Sequence, residues 1–266
     1  MSATDIMTKI VFDRVNPTIG ARVHGVPIDQ QPSARVVDTL RRGLHEHGVL
    51  FFQYDELVDA DQFLQFSTLF GELQPVYGFS SSKGGGIDAR IQPLKEYRTG
   101  QWHTDGTPFE RPPQAALLTT VEAPELGGGT MWASMYAAYD GLSSHYQRLL
   151  DGLEVVHSTI RTPFIKEQTE TVHPAIIRDP VTGKKALFVN SVYSERFLDL
   201  SERESDSLMK FLFEHVNQPE YHVSMTWKPG TLVVWEERVT QHRAVDSFVG
   251  ERKLRRLTIQ GDKPAA

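Results

Sequence analysis

The sequence predicts a mainly β protein with helical decoration, of the β-sandwich or jelly-roll type. Short β-forming runs separated by turn residues fill most of the chain from residue 114 onward. Helical periodicity is confined to the first part of the chain and to two later insertions, at residues 134–150 and after residue 201. Many short strands with few helices between them are typical of packed or rolled sheets. A length of 266 residues is compatible with one all-β domain, 1–266.

The first part of the chain predicts two short strands, a helix, a buried strand and a second helix. The short strands lie near residues 10–12 and 21–26, and the buried strand at 49–52. Ser33 and Gly48 can begin and end the first helix, as Asp59 and Gly71 can for the second. The apolar faces of the two helices would consist of Val36, Val37, Leu40 and Leu44, and of Phe63, Phe66, Leu69 and Phe70.

The remainder of the chain predicts strands, a hairpin and one long helix. Strands are expected at 115–121, from Thr130, at 221–227, at 231–235 and at 253–260. Residues 175–189 have the pattern of a hairpin, and residues 134–150 that of one helix or two short ones. Ser201 and Glu204 have the spacing of a capping box, which predicts a helix that begins at Ser201.

Composition and charge exclude several classes of function. The net charge is −6 and the basic residues are scattered, so no basic stripe predicts binding to nucleic acid. The chain has no cysteine, which excludes disulfides, thiolate nucleophiles and cysteine-ligated metal sites and fits a reducing cytoplasm. It also has no signal-peptide pattern and no long apolar run, so we expect no membrane segment and a cytoplasmic location.

Trp102-His103-Thr104-Asp105 is the most informative motif. On a strand, His103 and Asp105 would point to the same face. His242 follows the predicted strand 231–235 and could supply a third ligand. Two histidines and one carboxylate form the facial triad that holds Fe(II) and leaves the opposite coordination positions open. A His-x-Asp pair by itself is weak evidence, because chance pairs and surface histidines account for most such pairs.

Two arginines near the C-terminus give a second signal. If the last strand begins at Arg252, then Arg252 and Arg256 share one face with Leu254 and Thr258. Guanidinium groups that point into a barrel require anionic partners, usually carboxylates or phosphates held by two parallel hydrogen bonds. The alternative is an exposed edge strand with solvated charges.

Residues 78–101 have no periodicity and are rich in turn formers, including Ser80-Ser81-Ser82 and Gly84-Gly85-Gly86. A surface loop is one interpretation of this segment. Because the segment runs directly into His103, the other interpretation is a mobile lid over a functional site.

Several motifs together resemble the taurine dioxygenase (TauD/TfdA) family: His103-x-Asp105, Gly127-Gly128-Gly129-Thr130, and His242 followed by Arg252 and Arg256. The resemblance extends over nearly the whole chain, from Ile19-Gly20-Ala21 through Phe70-Gly71-Glu72 to Gly261-Asp262-Lys263-Pro264. It implies a double-stranded β-helix, which is a jelly roll of the cupin-like type. It also implies an oxygenase that uses Fe(II), 2-oxoglutarate and O2, and a homo-oligomer, either a dimer or a tetramer.

The resemblance assigns roles to individual residues. It implies that His103, Asp105 and His242 bind iron, and that Thr130 and Arg252 bind the distal carboxylate of 2-oxoglutarate. On the substrate side, the positions that match are Arg256, Tyr77, Gln74 and Tyr193. The implied reaction oxidises an unactivated C–H bond of a small organic acid and releases succinate and CO2. Hydroxylation is the default outcome, with desaturation, epoxidation or ring expansion as alternatives.

The chain also departs from the family pattern. Gln74 and Thr99 stand where the taurine enzyme has histidine and asparagine, so taurine is not the expected substrate. Glu236-Glu237 replaces the usual Asp-Asn after the strand tryptophan. Arg256 and Tyr77 favour another carboxylate or sulfonate, such as an aryloxyalkanoate or a natural-product intermediate.

Two other functions could use the same ligands. A zinc or manganese hydrolase or isomerase on a cupin-like barrel would need a general base and would ignore 2-oxoglutarate; the Thr130 and Arg252 pair argues against it. A non-catalytic protein that binds small acids is the third possibility, and the intact set of three ligands argues against that one.

Overall fold

The computed structural model describes residues 9–74, 100–162 and 168–266. In these ranges helices α1 to α5 span Ala34–His47, Ala60–Thr68, Met135–Asp140, Ser144–Leu150 and Glu202–Val216. Strands β1 to β17 span Val11–Arg14, Ala21–His24, Val49–Gln53, Leu73–Gln74, Ala115–Glu122, Leu126–Gly127, Thr130–Ser134, Glu154–Ser158, Glu170–Pro174, Ile176–Arg178, Lys185–Leu187, Ser194–Phe197, His222–Met225, Thr231–Glu236, Thr240–Ala244, Phe248–Val249 and Lys253–Ile259. Two 3-10 turns span Pro219–Tyr221 and Glu237–Val239.

Seven of these strands form the largest sheet, in the order β1-β2-β3-β14-β5-β17-β4. Neighbouring strands within this sheet come from distant parts of the chain: β14 lies between β3 and β5 and is antiparallel to both. Helices α1 and α2 cover one face, where Leu40, Leu44 and Phe63 are buried against the apolar residues of the sheet. Burial of these aliphatic and aromatic faces provides the main stabilisation of this half of the molecule.

A second sheet, β13-β7-β15, packs against the other face of the large sheet. Trp132 of β7 meets Phe51 and Trp235 of the large sheet, with ring centroids 5.6 and 5.8 Å away. This aromatic layer packs against the site described below, since the ring of Trp235 lies 5.0 Å from that of His242. The mainly β, jelly-roll prediction is confirmed, with helices as a minority.

Most predicted elements are present, and their ends have the predicted chemistry. Gly48 ends α1 with a positive φ of 71°. Asp59 caps α2, where it accepts the backbone N–H of Gln62 at 2.8 Å. Glu204 accepts the N–H of Ser201 at 3.0 Å at the start of α5. Residues 134–150 form the two short helices α3 and α4, and the predicted hairpin is β10-β11.

Several predictions about local structure were wrong. His103 is not part of a strand: it forms a single antiparallel bridge with His242, and Asp105 already lies in the following turn. Helix α2 ends at Thr68, before the predicted Gly71. The strand expected at 221–227 is limited to His222–Met225: a 3-10 turn occupies Pro219–Tyr221, and residues 226–227 are not part of a strand.

Tyr77 and residues 78–99 of the predicted lid lie outside the described residues, whereas Gly100 and Gln101 are described. Within the part of the chain that the structure describes, no helix has the length and apolarity needed to cross a membrane.

Candidate active site

Backbone pairing brings the two histidines of the predicted metal site together. The N–H of His103 donates to the carbonyl of His242 at 3.2 Å, and the N–H of His242 donates to the carbonyl of His103 at 2.8 Å. Opposed residues of an antiparallel pair point their side chains to the same face. Their ring centroids are accordingly 4.2 Å apart.

Asp105 completes the cluster. One of its carboxylate oxygens is 3.7 Å from Nε2 of His103, and the other is 3.5 Å from Nε2 of His242. One ligand atom from each of the three residues lies within 4.8 Å of the others. Among residues 9–74, 100–162 and 168–266, this is the group of three potential ligands that could share one ion.

The donor set fits Fe(II). Nδ1 of His103 donates to the carbonyl of Gln101 at 2.8 Å, so Nε2 carries the free lone pair that a metal requires. Both histidines are almost fully buried, which prevents the ligands from rotating into solvent. Two imidazole nitrogens and one carboxylate on one side of an ion leave the other side open for a co-substrate.

Charged neighbours determine the protonation of Asp105. Burial would raise its pKa, but the Arg256 guanidinium and the two histidines outweigh burial and hold the pKa below its usual range. Arg256 contacts a carboxylate oxygen of Asp105 through Nη2. Asp105 is therefore ionised at neutral pH, as a metal ligand must be.

Glu237 is a second carboxyl group next to Asp105, and it has no solvent exposure. Its Oε2 accepts the backbone N–H of Asp105 at 3.1 Å, and its Oε1 lies 3.4 Å from Nη2 of Arg256. Burial and the charge of Asp105 raise the pKa of Glu237. Arg256 thus contacts two carboxyl groups of the protein itself.

A second polar cluster lies near His242, since Thr130 is two residues from Trp132 on β7 and Trp132 pairs with His242 on β15. Nη2 of Arg252 donates to Oγ1 of Thr130 at 3.3 Å, and Nε1 of Trp227 donates to the same oxygen at 3.1 Å. Arg252 is only 8% exposed, and its Nε has no hydrogen-bond partner among the described residues. Burial lowers the pKa of Arg252 to about 10, so the guanidinium stays charged at neutral pH. A buried cation beside a hydroxyl group is suited to a carboxylate ligand.

The structure also brings Gln74 and Tyr193 to this interior. Gln74 on β4 is paired with Thr258 on β17, so its side chain lies on the same face as Arg256. The amide oxygen of Gln74 is buried without a hydrogen-bond partner in the described part of the chain. Burial and the nearby charge of Asp105 raise the pKa of the Tyr193 phenol.

Two buried histidines support the turn that carries Asp105. Nδ1 of His157 lies 3.0 Å from Oγ1 of Thr107, and Nε2 of His173 donates to the carbonyl of Thr107 at 3.0 Å. Both rings are fully buried, and burial lowers the pKa of His157 to about 3. Both histidines are therefore neutral, and they have a structural position rather than a place among the ligands.

Comparison with known proteins agrees with this geometry. The family model for taurine catabolism dioxygenases, TauD and TfdA, matches residues 12–258. The chain belongs to this family. It is therefore a 2-oxoglutarate-dependent non-haem iron dioxygenase, which uses Fe(II), 2-oxoglutarate and O2. Membership decides between the oxygenase and the two alternatives, the hydrolase or isomerase and the binding protein, in favour of the oxygenase.

Individual relatives cover most of the chain. An α-ketoglutarate-dependent sulfate ester dioxygenase from Pseudomonas putida is 31% identical over 265 residues, which are 92% of this chain and 88% of that protein. Pentalenolactone F synthase from Streptomyces arenae is 29% identical and covers 93% of this chain and 94% of its own length. The crystal structure of a taurine dioxygenase from Burkholderia xenovorans has a TM-score of 0.79 at 30% identity, over 96% of this chain and 92% of that one.

Glu237 is the site residue that the sequence did not identify. Glu236 and Glu237 are adjacent, but they face opposite ways: Glu236 accepts Nε of Arg238 at 2.8 Å in a separate buried cluster. The available signal was an acidic pair directly after the buried strand Thr231–Trp235 and shortly before His242. Sequence alone could not tell which carboxyl group faces the ligands.

Proposed function

We propose that this dioxygenase oxidises an unactivated C–H bond of a small organic acid at an iron held by His103, Asp105 and His242. The overall reaction would convert substrate, 2-oxoglutarate and O2 into hydroxylated substrate, succinate and CO2. The observation that carries the proposal is the meeting of the three ligand atoms within 4.8 Å. Iron bound there would supply the activation of O2.

In this proposal the buried pair Thr130 and Arg252 binds the distal carboxylate of 2-oxoglutarate. Arg252 would form charge-assisted hydrogen bonds to that carboxylate, and Thr130 would donate its hydroxyl hydrogen. The 8% exposure of Arg252 and its Nε without a hydrogen-bond partner among the described residues support this role, because a buried donor without an acceptor is unfavourable. Both residues would thus orient the co-substrate.

The substrate would bind on the side of Arg256, Gln74 and Tyr193. Arg256 would contact the acidic group through its Nε, which has no hydrogen-bond partner among the described residues. The amide oxygen of Gln74, likewise without a partner among them, would accept a hydrogen bond from the substrate. Tyr193 is buried beside Asp105, where it would exclude water from the reacting carbon. Tyr77, the fourth predicted substrate residue, is retained on the family resemblance.

The class of acid and the outcome of the reaction are further parts of the proposal. The sulfate ester dioxygenase among the relatives supports sulfate esters as the first compounds to test. The family resemblance at Arg256 supports sulfonates and carboxylates beside them. Pentalenolactone F synthase supports natural-product acids as a second group. With such a substrate, desaturation, epoxidation or ring expansion could replace hydroxylation at the same site.

A substrate screen tests the proposal. Purified protein is incubated with Fe(II), 2-oxoglutarate and O2, and succinate is measured for a panel of alkyl sulfates, sulfonates, aryloxyalkanoates and other carboxylates. We expect one chemical class to raise succinate formation well above the substrate-free rate. His103→Ala should abolish this increase.

Two results would contradict the proposal. Succinate formation that persists in His103→Ala would exclude the assigned iron ligands. A response to neutral compounds but to none of the acids would exclude the acid-binding role of Arg256.

We also propose that the enzyme acts in the cytosol as a dimer or tetramer. The lack of cysteine supports a reducing compartment, and the family resemblance supports the oligomer. Light scattering coupled to size-exclusion chromatography measures the mass directly; a mass near the 30.0 kDa of one chain would reject the oligomer.

A further inference from the structure

Glu237 links three groups of the site. It is the first residue of the 3-10 turn Glu237–Val239, which separates β14 from β15 and its His242. Its Oε2 holds the N–H of Asp105 at 3.1 Å and lies 3.8 Å from Nδ1 of His242. Because Glu237 has no solvent exposure, water does not compete for these contacts.

His242 lacks the hydrogen bond that a metal-bound histidine usually makes. When Nε2 of an imidazole coordinates a metal, the proton sits on Nδ1 and needs an acceptor. His103 has such an acceptor in the carbonyl of Gln101, at 2.8 Å. Nδ1 of His242 is buried and has no hydrogen-bond partner among the described residues. The facing Oε2 of Glu237 would reach hydrogen-bonding distance after a movement of about 1 Å.

We propose that Glu237 is the positioning residue of the metal site: it accepts the Nδ1–H of His242 and at the same time orients Asp105 through its backbone N–H. The inference rests on the proposed function, since it takes His103, Asp105 and His242 as the ligands. A carboxylate acceptor fixes the tautomer and ring orientation of a ligating histidine and increases its basicity. One side chain thereby prepares two of the three ligands.

This role is particular to Glu237 in this chain. The resemblance to the family places asparagine at this position, and the shorter amide carries no charge. Replacement of Glu237 by glutamine keeps the length of the side chain but exchanges one carboxyl oxygen for an NH2 group, which cannot accept a hydrogen bond. Glu237→Asn restores the usual family residue, so the two variants separate the loss of a carboxyl oxygen from the loss of reach.

Metal affinity is the appropriate measurement, because it does not depend on turnover. Anaerobic titration calorimetry with Fe(II) compares the wild-type protein with Glu237→Gln and Glu237→Asn. We expect both variants to bind Fe(II) about 10- to 100-fold more weakly. The thermal unfolding temperature of metal-free Glu237→Gln should equal that of the wild type, since glutamine has the same length and keeps an oxygen that can accept the N–H of Asp105.

Glu195→Gln is the matched control. Glu195 also has a largely buried carboxylate next to a guanidinium, that of Arg161 at 2.7 Å, and is not among the groups that contact the three ligands. Its replacement should leave the affinity for Fe(II) unchanged. Equal weakening in this control would mean that the loss is a general effect of removing a carboxylate, and would overturn the inference.

The remaining outcomes are also decisive. Fe(II) affinity of Glu237→Gln within about twofold of the wild type would overturn the inference while leaving the proposed iron site intact. If Glu237→Gln binds Fe(II) more weakly and also unfolds at a lower temperature than the wild type in the absence of metal, Glu237 has a purely structural role and the inference is overturned. Failure of the wild-type protein itself to bind Fe(II) would instead reject the proposed function, and the inference with it.

Discussion

Acidification should destabilise the protein through His157, which supports the turn next to Asp105. Its pKa is about 3 in the folded state and 6.5 in the unfolded state, because burial disfavours the charged ring. Between these values the unfolded chain binds more protons, so the free energy of unfolding falls as the pH falls. The difference between the two pKa values corresponds to about 5 kcal/mol of unfolding free energy, and about 2 kcal/mol of it is lost when the pH has fallen to about 5.

Urea unfolding of the wild type and of His157→Asn, at about pH 7.5 and about pH 5, measures this contribution. Asparagine can place its amide near Oγ1 of Thr107, where Nδ1 of His157 lies at 3.0 Å. The variant should therefore lose about 2 kcal/mol less stability than the wild type over this interval. Equal losses in the two proteins, to within about 0.5 kcal/mol, would refute the reasoning, because other titrating groups are common to both.

Three further substitutions test the 2-oxoglutarate site, a turn and the core. Arg252→Ala should raise the KM for 2-oxoglutarate about 10- to 150-fold, since hydrogen bonds to charged groups contribute about 1.5–3 kcal/mol; steady-state succinate assays would show an unchanged KM if the assignment is wrong. Gly127→Ala should lower the unfolding temperature by several degrees, at about 2–4 °C for each kcal/mol of lost stability. The reason is that φ of Gly127 is +75° and the new Cβ would lie 2.1 Å from the carbonyl oxygen of Ser247. An unchanged melting curve would contradict this. Phe63→Ala should cost about 3–5 kcal/mol of unfolding free energy, because Phe63 is fully buried between α2 and the large sheet. A smaller loss in urea denaturation would contradict this and would show that the cavity collapses.

Local chemistry made most of the secondary structure predictable. Capping residues and apolar periodicity identified α1, α2 and α5. The last strand was placed correctly at 253–259, but Arg252 precedes it and the pairing register shifts after Lys253, so simple alternation does not relate Arg252 to Arg256. Strand β15 was missed because Thr240–Ala244 has no apolar alternation; pairing with β7 makes it a strand. The β-strand propensity of a segment counts for less than its pairing with a neighbouring strand. Apolar periodicity in the sequence does not reveal such pairing.

The grouping of His103, Asp105 and His242 was predictable for a different reason. His103, Asp105 and His242 were identified from the types of residue and from the family resemblance, and the structure brings them together. The sequence placed His103 and Asp105 on one strand, but the structure has only a single bridge there, between His103 and His242. Strand alternation is therefore not the reason that His103 and Asp105 lie together. The orientation of Glu237 depends on the 3-10 turn Glu237–Val239, which the sequence pattern did not predict.

The bridge between His103 and His242 has a consequence for how the enzyme matures. Its two backbone hydrogen bonds join segments from opposite halves of the polypeptide. A nascent or partly folded chain that lacks β15 also lacks His242 beside His103, so the group of three potential ligands is incomplete. At the site proposed above, iron would therefore bind only after the fold is complete.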